Sequence, residues 1–258
     1  MDELRRHHYL NMMGVTPWRL RHAAEPSDAE AYAEEPPPYP EDVETERRVE
    51  VAPDAPVEAP PPSSVGVTEQ APPDWQTLRE QVKACRKCEL RAGCTQTVFG
   101  VGNEQADVLV IGEAPGADED RQGEPFVGRA GQLLNAMLLA MGFKREAVFI
   151  ANIVKCRPPN NRDPKPEEAL SCEPYLLRQI ELIRPKLILA VGRISAQNLL
   201  KCDIAVGKLR GRVHAFGEGR IPLVVTYHPA YLLRSPEQKG KAWQDLQLAL
   251  SVLRESTA

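Results

Sequence analysis

The chain has 258 residues, 42% of them hydrophobic and 26% charged, with a formal net charge of −4. That length holds one large domain or two small ones, and no segment is apolar enough over a sufficient length to suggest a membrane span. The acidic balance is misleading. Residues 1–70 carry 6 Lys and Arg against 15 Asp and Glu, a net −9, whereas residues 71–258 carry 26 against 21, a net +5. The part able to fold is mildly basic, which suits a polyanionic partner.

Residues 1–24 interleave Leu4, Leu10, Met12, Met13, Val15, Trp18 and Leu20 with Arg5, Arg6, Arg19 and Arg21. The order predicts a short helix, a break at Gly14, and a turn capped by Thr16 with Pro17 at the first helical position. No apolar core of about 7–15 residues follows the charges, so a secretory signal is not expected. A sticky peptide of this kind either docks on a partner or folds back on its own domain. Residues 25–73 contain 12 of the 24 prolines, including Pro36–Pro38 and Pro60–Pro62, and almost no large apolar side chains. Such a stretch buries too little surface to offset its ordering entropy, and a disordered linker is expected.

From residue 74 onward the pattern alternates. Apolar runs at Val108–Ile111, Val148–Ile153, Leu187–Val191 and Leu223–Tyr227 read as buried strands. Helical periodicity appears around Trp75–Ala84, Gly131–Met141, Pro166–Ile183, Ile194–Leu200 and Gly240–Leu253. Short continuous apolar strands alternating with helices predict an α/β domain, a parallel sheet covered on both faces, over residues 74–258.

Within that domain, Gly112-Glu113-Ala114-Pro115-Gly116 follows the first strand. It delivers a carboxylate to the carboxyl end of a strand, where open α/β sheets hold their ligands. Six cysteines are present: Cys85, Cys88, Cys94, Cys156, Cys172 and Cys202. With no secretory signal, disulfides are not expected. Cys85-x2-Cys88 has metal-ligand spacing, with Cys156 and Cys172 available as partners; four thiolates bind Zn²⁺ or a [4Fe–4S] cluster, and spacing does not separate the two. Cys202 reads as a small apolar residue after a helix. Cys94 stands close enough to Cys88 to be an alternative ligand.

Five motifs then occur in series. They are Cys85-x2-Cys88; Gly112–Gly116 with Glu119 and Asp120; Pro125-Phe126-Val127-Gly128; Asn152-Ile153-Val154-Lys155-Cys156-Arg157-Pro158-Pro159; and His228-Pro229-Ala230-Tyr231-Leu232-Leu233-Arg234. Together they resemble the family 4 iron–sulfur uracil-DNA glycosylases over about residues 75–253. The resemblance implies a three-layer α/β/α fold with a four-stranded parallel central sheet. It also implies a [4Fe–4S] cluster on Cys85, Cys88, Cys156 and Cys172, and hydrolysis of the N-glycosidic bond of uracil in single- and double-stranded DNA, leaving an abasic site for base excision repair. Glu113 separates the chain from the related family 5 group, where that position is apolar. Ala230 stands where many members carry Ser. The Arg-rich, His-containing loop of covalently trapping relatives is not seen between Ile150 and Arg157, so turnover is expected.

Roles follow from that resemblance and from the chemistry. A flipped uracil must be read by its edge. Glu113 would stabilise positive charge on the sugar and orient water, and His228 would donate to uracil O2 as negative charge builds. Phe126 would stack on the base, Asn152 would pair with N3–H and O4, Glu119 would crowd the C5 side, and the backbone at Ala114 would add an N–H. Tyr231, Leu232, Leu233 and Arg234 would form a loop that fills the gap left by the base. Arg157 and Arg210, with Lys155, Arg162 and Arg212, are candidate phosphate contacts.

The peptide from Leu10 to Arg21 is similar to the N-terminal peptide of the psi subunit of bacterial DNA polymerase III. That similarity implies a clamp-loader contact through Leu10, Trp18 and Leu20. A monomer in the bacterial cytosol or nucleoid, with no membrane contact, is the expected setting. The competing reading is a non-catalytic, metal-bound nucleic-acid adaptor of the replication machinery.

Overall fold

The computed structural model describes Asn11, Met13, Gly14 and residues 74–218 and 220–256. The expected linker over 25–73 and the candidate contacts Leu10, Trp18 and Leu20 lie outside the described residues. Nine helices are described: α1 (Trp75–Ala84), α2 (Leu90–Gly93), α3 (Ala117–Gln122), α4 (Arg129–Met141), α5 (Pro166–Ile183), α6 (Arg193–Leu200), α7 (Val206–Leu209), α8 (Pro229–Arg234) and α9 (Lys239–Glu255). The strands are β1 (Val101–Gly102), β2 (Val108–Gly112), β3 (Phe149–Asn152), β4 (Leu187–Val191), β5 (Val213–Phe216) and β6 (Ile221–Thr226).

The sheet has six strands in the order β1-β3-β2-β4-β6-β5, not the four expected. Strands β3, β2, β4 and β6 run parallel, while β1 and β5 pair antiparallel at the two edges. The edges escaped the sequence reading for a physical reason. β1 is two residues long, and β5 alternates exposed and half-buried residues without an apolar run.

Strand parity builds the layers. Leu109 and Ile111 of β2 face one apolar cluster, joined there by Ile188, Ala190, Leu223 and Val225. Val108 and Val110 face the other, with Leu187, Leu189, Val191 and Val224. Because successive side chains point to opposite faces, each fully buried strand feeds two cores at once. Helices α1, α5 and α6 supply the first cluster and α4, α8 and α9 the second. Met13, wholly buried, packs into the second cluster. Among the described residues no helix is long and apolar enough to cross a membrane.

Candidate active site

Register brings four strand ends into one row. Gly112 of β2 pairs with Asn152 of β3, and Val191 of β4 pairs with Thr226 of β6. Glu113, Asn152, Gly192 and His228 therefore emerge at the same carboxyl edge of the sheet, where a cleft of about 770 Å³ opens. Glu113, Ala114, Glu119, Phe126, Asn152, Asp163, Arg193, Tyr227, His228, Tyr231 and Arg234 are among its lining residues.

Asn152 is 2% exposed, and its Oδ1 is a buried acceptor with no hydrogen-bond partner among the described residues. Leaving such an atom unpaired costs about 1–3 kcal/mol, so the amide is set for a donor arriving from the cleft. Gly112 makes this possible, since a Cβ there would sit 2.5 Å from Asn152 Oδ1 and 2.6 Å from the Phe126 ring.

Phe126 itself holds a strained backbone, φ 55°. Arg145 pins it by donating to Pro125 O at 2.6 Å and Phe126 O at 3.4 Å. Glu119 braces the same wall: Oε1 accepts from Val127 N (2.9 Å) and Gly128 N (3.3 Å), and Oε2 from Gly116 N (3.1 Å). Strain held by surrounding hydrogen bonds in a cleft is the pattern of a preorganised site.

His228 caps α8, with Pro229 in the first turn. Its Nδ1 accepts from Ala230 N at 3.1 Å, which leaves the ring proton on Nε2. Burial, then Arg234, lowers its pKa from 6.5 to about 4, against a small opposing effect of Glu119. The imidazole is thus neutral at neutral pH. Glu113 is shifted the other way: burial, then the Asp163 carboxylate, raises it from 4.5 to about 7, with Arg193 opposing. Arg193 Nη2 in turn lies 2.5 Å from Asp163 Oδ2.

A second pocket lies on the α1 and α5 side of the sheet. Cys85, Cys88, Cys156 and Cys172 all line it, with Val82, Leu90, Val154, Lys155 and Tyr175. Backbone N–H groups already face two of the sulfurs: Lys87 N donates to Cys85 at 3.5 Å and Lys155 N to Cys172 at 3.3 Å. Burial pushes the thiols of Cys88, Cys156 and Cys172 upward, so thiolates at these three positions need a cationic centre. The soft donor set fits a thiolate-bound metal group, although among the described residues no three side chains are yet drawn to metal-ligand spacing. Cys94 is buried in the same cluster; its Sγ accepts from Arg91 Nη1 and donates to Arg91 O, each at 3.7 Å, and it also meets the Cys156 thiol. Cys202 packs at the edge of the apolar cluster, as expected of a structural residue.

The profile of the uracil DNA glycosylase superfamily matches residues 99–247, more than half of the chain. The chain belongs to that superfamily. It is 45% identical over 174 residues to the type-4 uracil-DNA glycosylase of Archaeoglobus fulgidus, covering 65% of this chain and 87% of that protein. Against the type-4 enzyme of Thermotoga maritima the figures are 40% over 183 residues, 70% and 95%. Against a type-5 enzyme of Pyrobaculum aerophilum they fall to 30% over 178 residues, 62% and 77%. Within the superfamily the chain stands with the type-4 uracil-DNA glycosylases.

The geometry corrects several expectations about the DNA-facing residues. Residues 229–234 form helix α8, not a loop. Leu232 is wholly buried in the second core cluster and cannot fill a gap in DNA. Tyr231 and Leu233, each 36% exposed, remain at the surface. Arg210 is turned inward: it donates to Asp245 Oδ2 (3.0 Å) and Lys241 O (2.5 Å), with its side chain only 13% exposed. Asp245 is fully buried, and an unpaired carboxylate there would be costly. Arg162 forms a bidentate pair with Glu168 (2.6 and 2.9 Å). Lys155, 2% exposed, faces the protein interior and no phosphate. Arg157 stays near the surface, bonded to Asn161 Oδ1 at 2.7 Å.

Two charged lining residues were not foreseen. Asp163 and Arg193 lie 50 and 80 positions beyond Glu113 in the chain, and only the folded chain brings them to its carboxyl group. Neither sits in a motif with chemical spacing.

Proposed function

We propose that this protein is a uracil-DNA glycosylase that flips uracil out of DNA and hydrolyses its N-glycosidic bond, leaving an abasic site for base excision repair. The observation that carries the assignment of roles is the buried, unpartnered Asn152 Oδ1 beside Phe126. Uracil offers N3–H to that oxygen and O4 to the same amide's N–H₂, whereas cytosine has no N–H at N3 to give. Phe126 carries the face of the base. Glu119 holds the wall on which Phe126 sits and keeps the C5 side narrow, and the backbone at Ala114 adds an N–H.

His228 donates Nε2–H to uracil O2. A neutral imidazole in a dry site stabilises the growing oxyanion without reorganisation. Glu113 faces the sugar, where its carboxylate stabilises oxocarbenium character and orients or deprotonates water. Asp163 and Arg193 set how readily it ionises. Tyr231, Leu233 and Arg234, on α8 beside His228, hold the opened duplex, and Arg157 meets a phosphate.

Cys85, Cys88, Cys156 and Cys172 hold a [4Fe–4S] cluster that braces the segment between α1 and α2 against the end of β3 and α5. The enzyme acts as a monomer in the bacterial cytosol, on single- and double-stranded DNA. Residues 1–24 serve as a docking peptide for the clamp loader, tethered by 25–73 to the catalytic domain at 74–258.

The decisive experiment is uracil release from a defined oligonucleotide by wild type, Glu113→Ala and His228→Ala. A wild type that binds the DNA yet leaves uracil in place would overturn the reading. For the docking peptide, a synthetic peptide of residues 1–25 should bind purified clamp loader and lose affinity on Trp18→Ala.

A further inference from the structure

Lys155 is an uncommon buried lysine. It is 2% exposed, and among the described residues no carboxylate pairs with it. Its Nζ donates to Asn152 O at 3.0 Å and to Gln179 Oε1 at 2.7 Å. Gln179, also wholly buried, passes the connection on by donating to Phe99 O at 2.9 Å. Two neutral acceptors satisfy hydrogen bonds but do not neutralise an ammonium, and an isolated buried charge is among the most expensive groups in a protein.

The four-cysteine pocket lies on the other side of Lys155. The residue lines the four-cysteine pocket, and its own backbone N–H faces Cys172 Sγ at 3.3 Å. Its carbonyl accepts from Val98 N at 2.7 Å, so the backbone here is held on both sides. The same residue therefore touches the main chain of the base-reading Asn152 and the sulfur of a candidate metal ligand. The spacing explains how: Asn152 ends β3, Lys155 lies three positions on, and its side chain folds back along its own chain to the Asn152 carbonyl.

We propose that Lys155 is a positioning residue that joins the two pockets. Its ammonium fixes the main chain at Asn152, and with it the amide that reads the base, while its charge offsets the thiolates of the cysteine-bound group. The inference rests on the assignment above of Asn152 as base reader and of the cysteines as cluster ligands. It makes the cysteine pocket more than a remote brace: loosening the metal group would be felt at the uracil-reading edge through one side chain.

The test compares wild type, Lys155→Met and Lys155→Arg as full-length holoproteins. Three readouts are iron and sulfide per chain, the lifetime of absorbance near 400 nm under a chelator, and KM against kcat for uracil excision with inhibition by free uracil. Lys155→Met should shorten the cluster lifetime and weaken uracil binding by about tenfold, the effect of removing a hydrogen bond to a charged group, with KM changing more than kcat. Lys155→Arg keeps the charge but not the short reach to Asn152 O, so it should retain a wild-type cluster lifetime with weakened uracil binding. If Lys155→Met does not fold, this Arg pattern decides, and any other pattern overturns the proposal. Wild-type cluster lifetime and KM in Lys155→Met would overturn it while leaving the glycosylase reading intact. A wild type that holds no iron would instead remove the cluster assignment.

Discussion

The rings of Phe126 and His228 lie 5.6 Å apart with their planes inclined by 31°. Phe126 thus shields the imidazole, and in the proposed reading it also offers a face to a flipped base. Phe126→Ala should admit water beside His228 and move its pKa from about 4 back toward 6.5. An NMR titration of the ring protons checks this, alongside a fall in kcat/KM of about tenfold or more from lost stacking.

The pH dependence of activity follows from the two opposed shifts. Glu113 works as the carboxylate, so kcat/KM should fall with unit slope as pH drops through about 7. His228 remains neutral until about 4, and no second inflection should appear between these values. A profile flat down to pH 5 would rule out Glu113 as the ionising group.

The same shift predicts a stability effect of defined sign. Glu113 ionises near 4.5 unfolded and near 7 folded, so its favourable contribution is complete below the lower value and lost as pH rises through the higher one. At about pH 8, Glu113→Gln should stabilise the protein by on the order of 2 kcal/mol, discounted for partial exposure, while abolishing most activity. Thermal unfolding should show a rise of several degrees, absent at about pH 4.

Asn152→Asp replaces an N–H donor with an acceptor facing uracil O4. Uracil excision should fall by about a hundredfold, and slow cytosine release should become detectable, since a carboxylate accepts from the cytosine amino group. High-resolution gels of matched uracil and cytosine oligonucleotides read both.

Neighbouring leucines on α8 should behave differently. Leu232→Ala, in the core, should cost about 2–5 kcal/mol of stability. Leu233→Ala should leave unfolding nearly unchanged and slow excision from duplex more than from single strands. Equal effects of the two on folding would remove the distinction.

Much of this was legible in the chain. Buried parallel strands are continuous apolar runs, so β2, β3, β4 and β6 announced themselves; local turn chemistry marked Gly112–Gly116, and the family motif marked His228-Pro229. The edge strands did not, because an edge needs only backbone pairing on one side and tolerates mixed side chains. Leu232 and Leu233 look alike in sequence, but a helix of 3.6 residues per turn sends one inward and one outward. Arg210 and Arg162 looked like free cations because their carboxylate partners, Asp245 and Glu168, are found only by folding.

The sequence by itself determined the family, and its motifs named the candidates: one carboxylate, one imidazole, one amide and four thiols. Only the tertiary structure decided their condition. The folded chain set Asp163 and Arg193 beside Glu113, burial neutralised His228, and a lysine expected on DNA was turned inward between the Asn152 carbonyl and the cysteine pocket. Ionisation and hydrogen-bond pairing depend on distance and dielectric across the fold, and those quantities exist only once residues far apart in the chain have met.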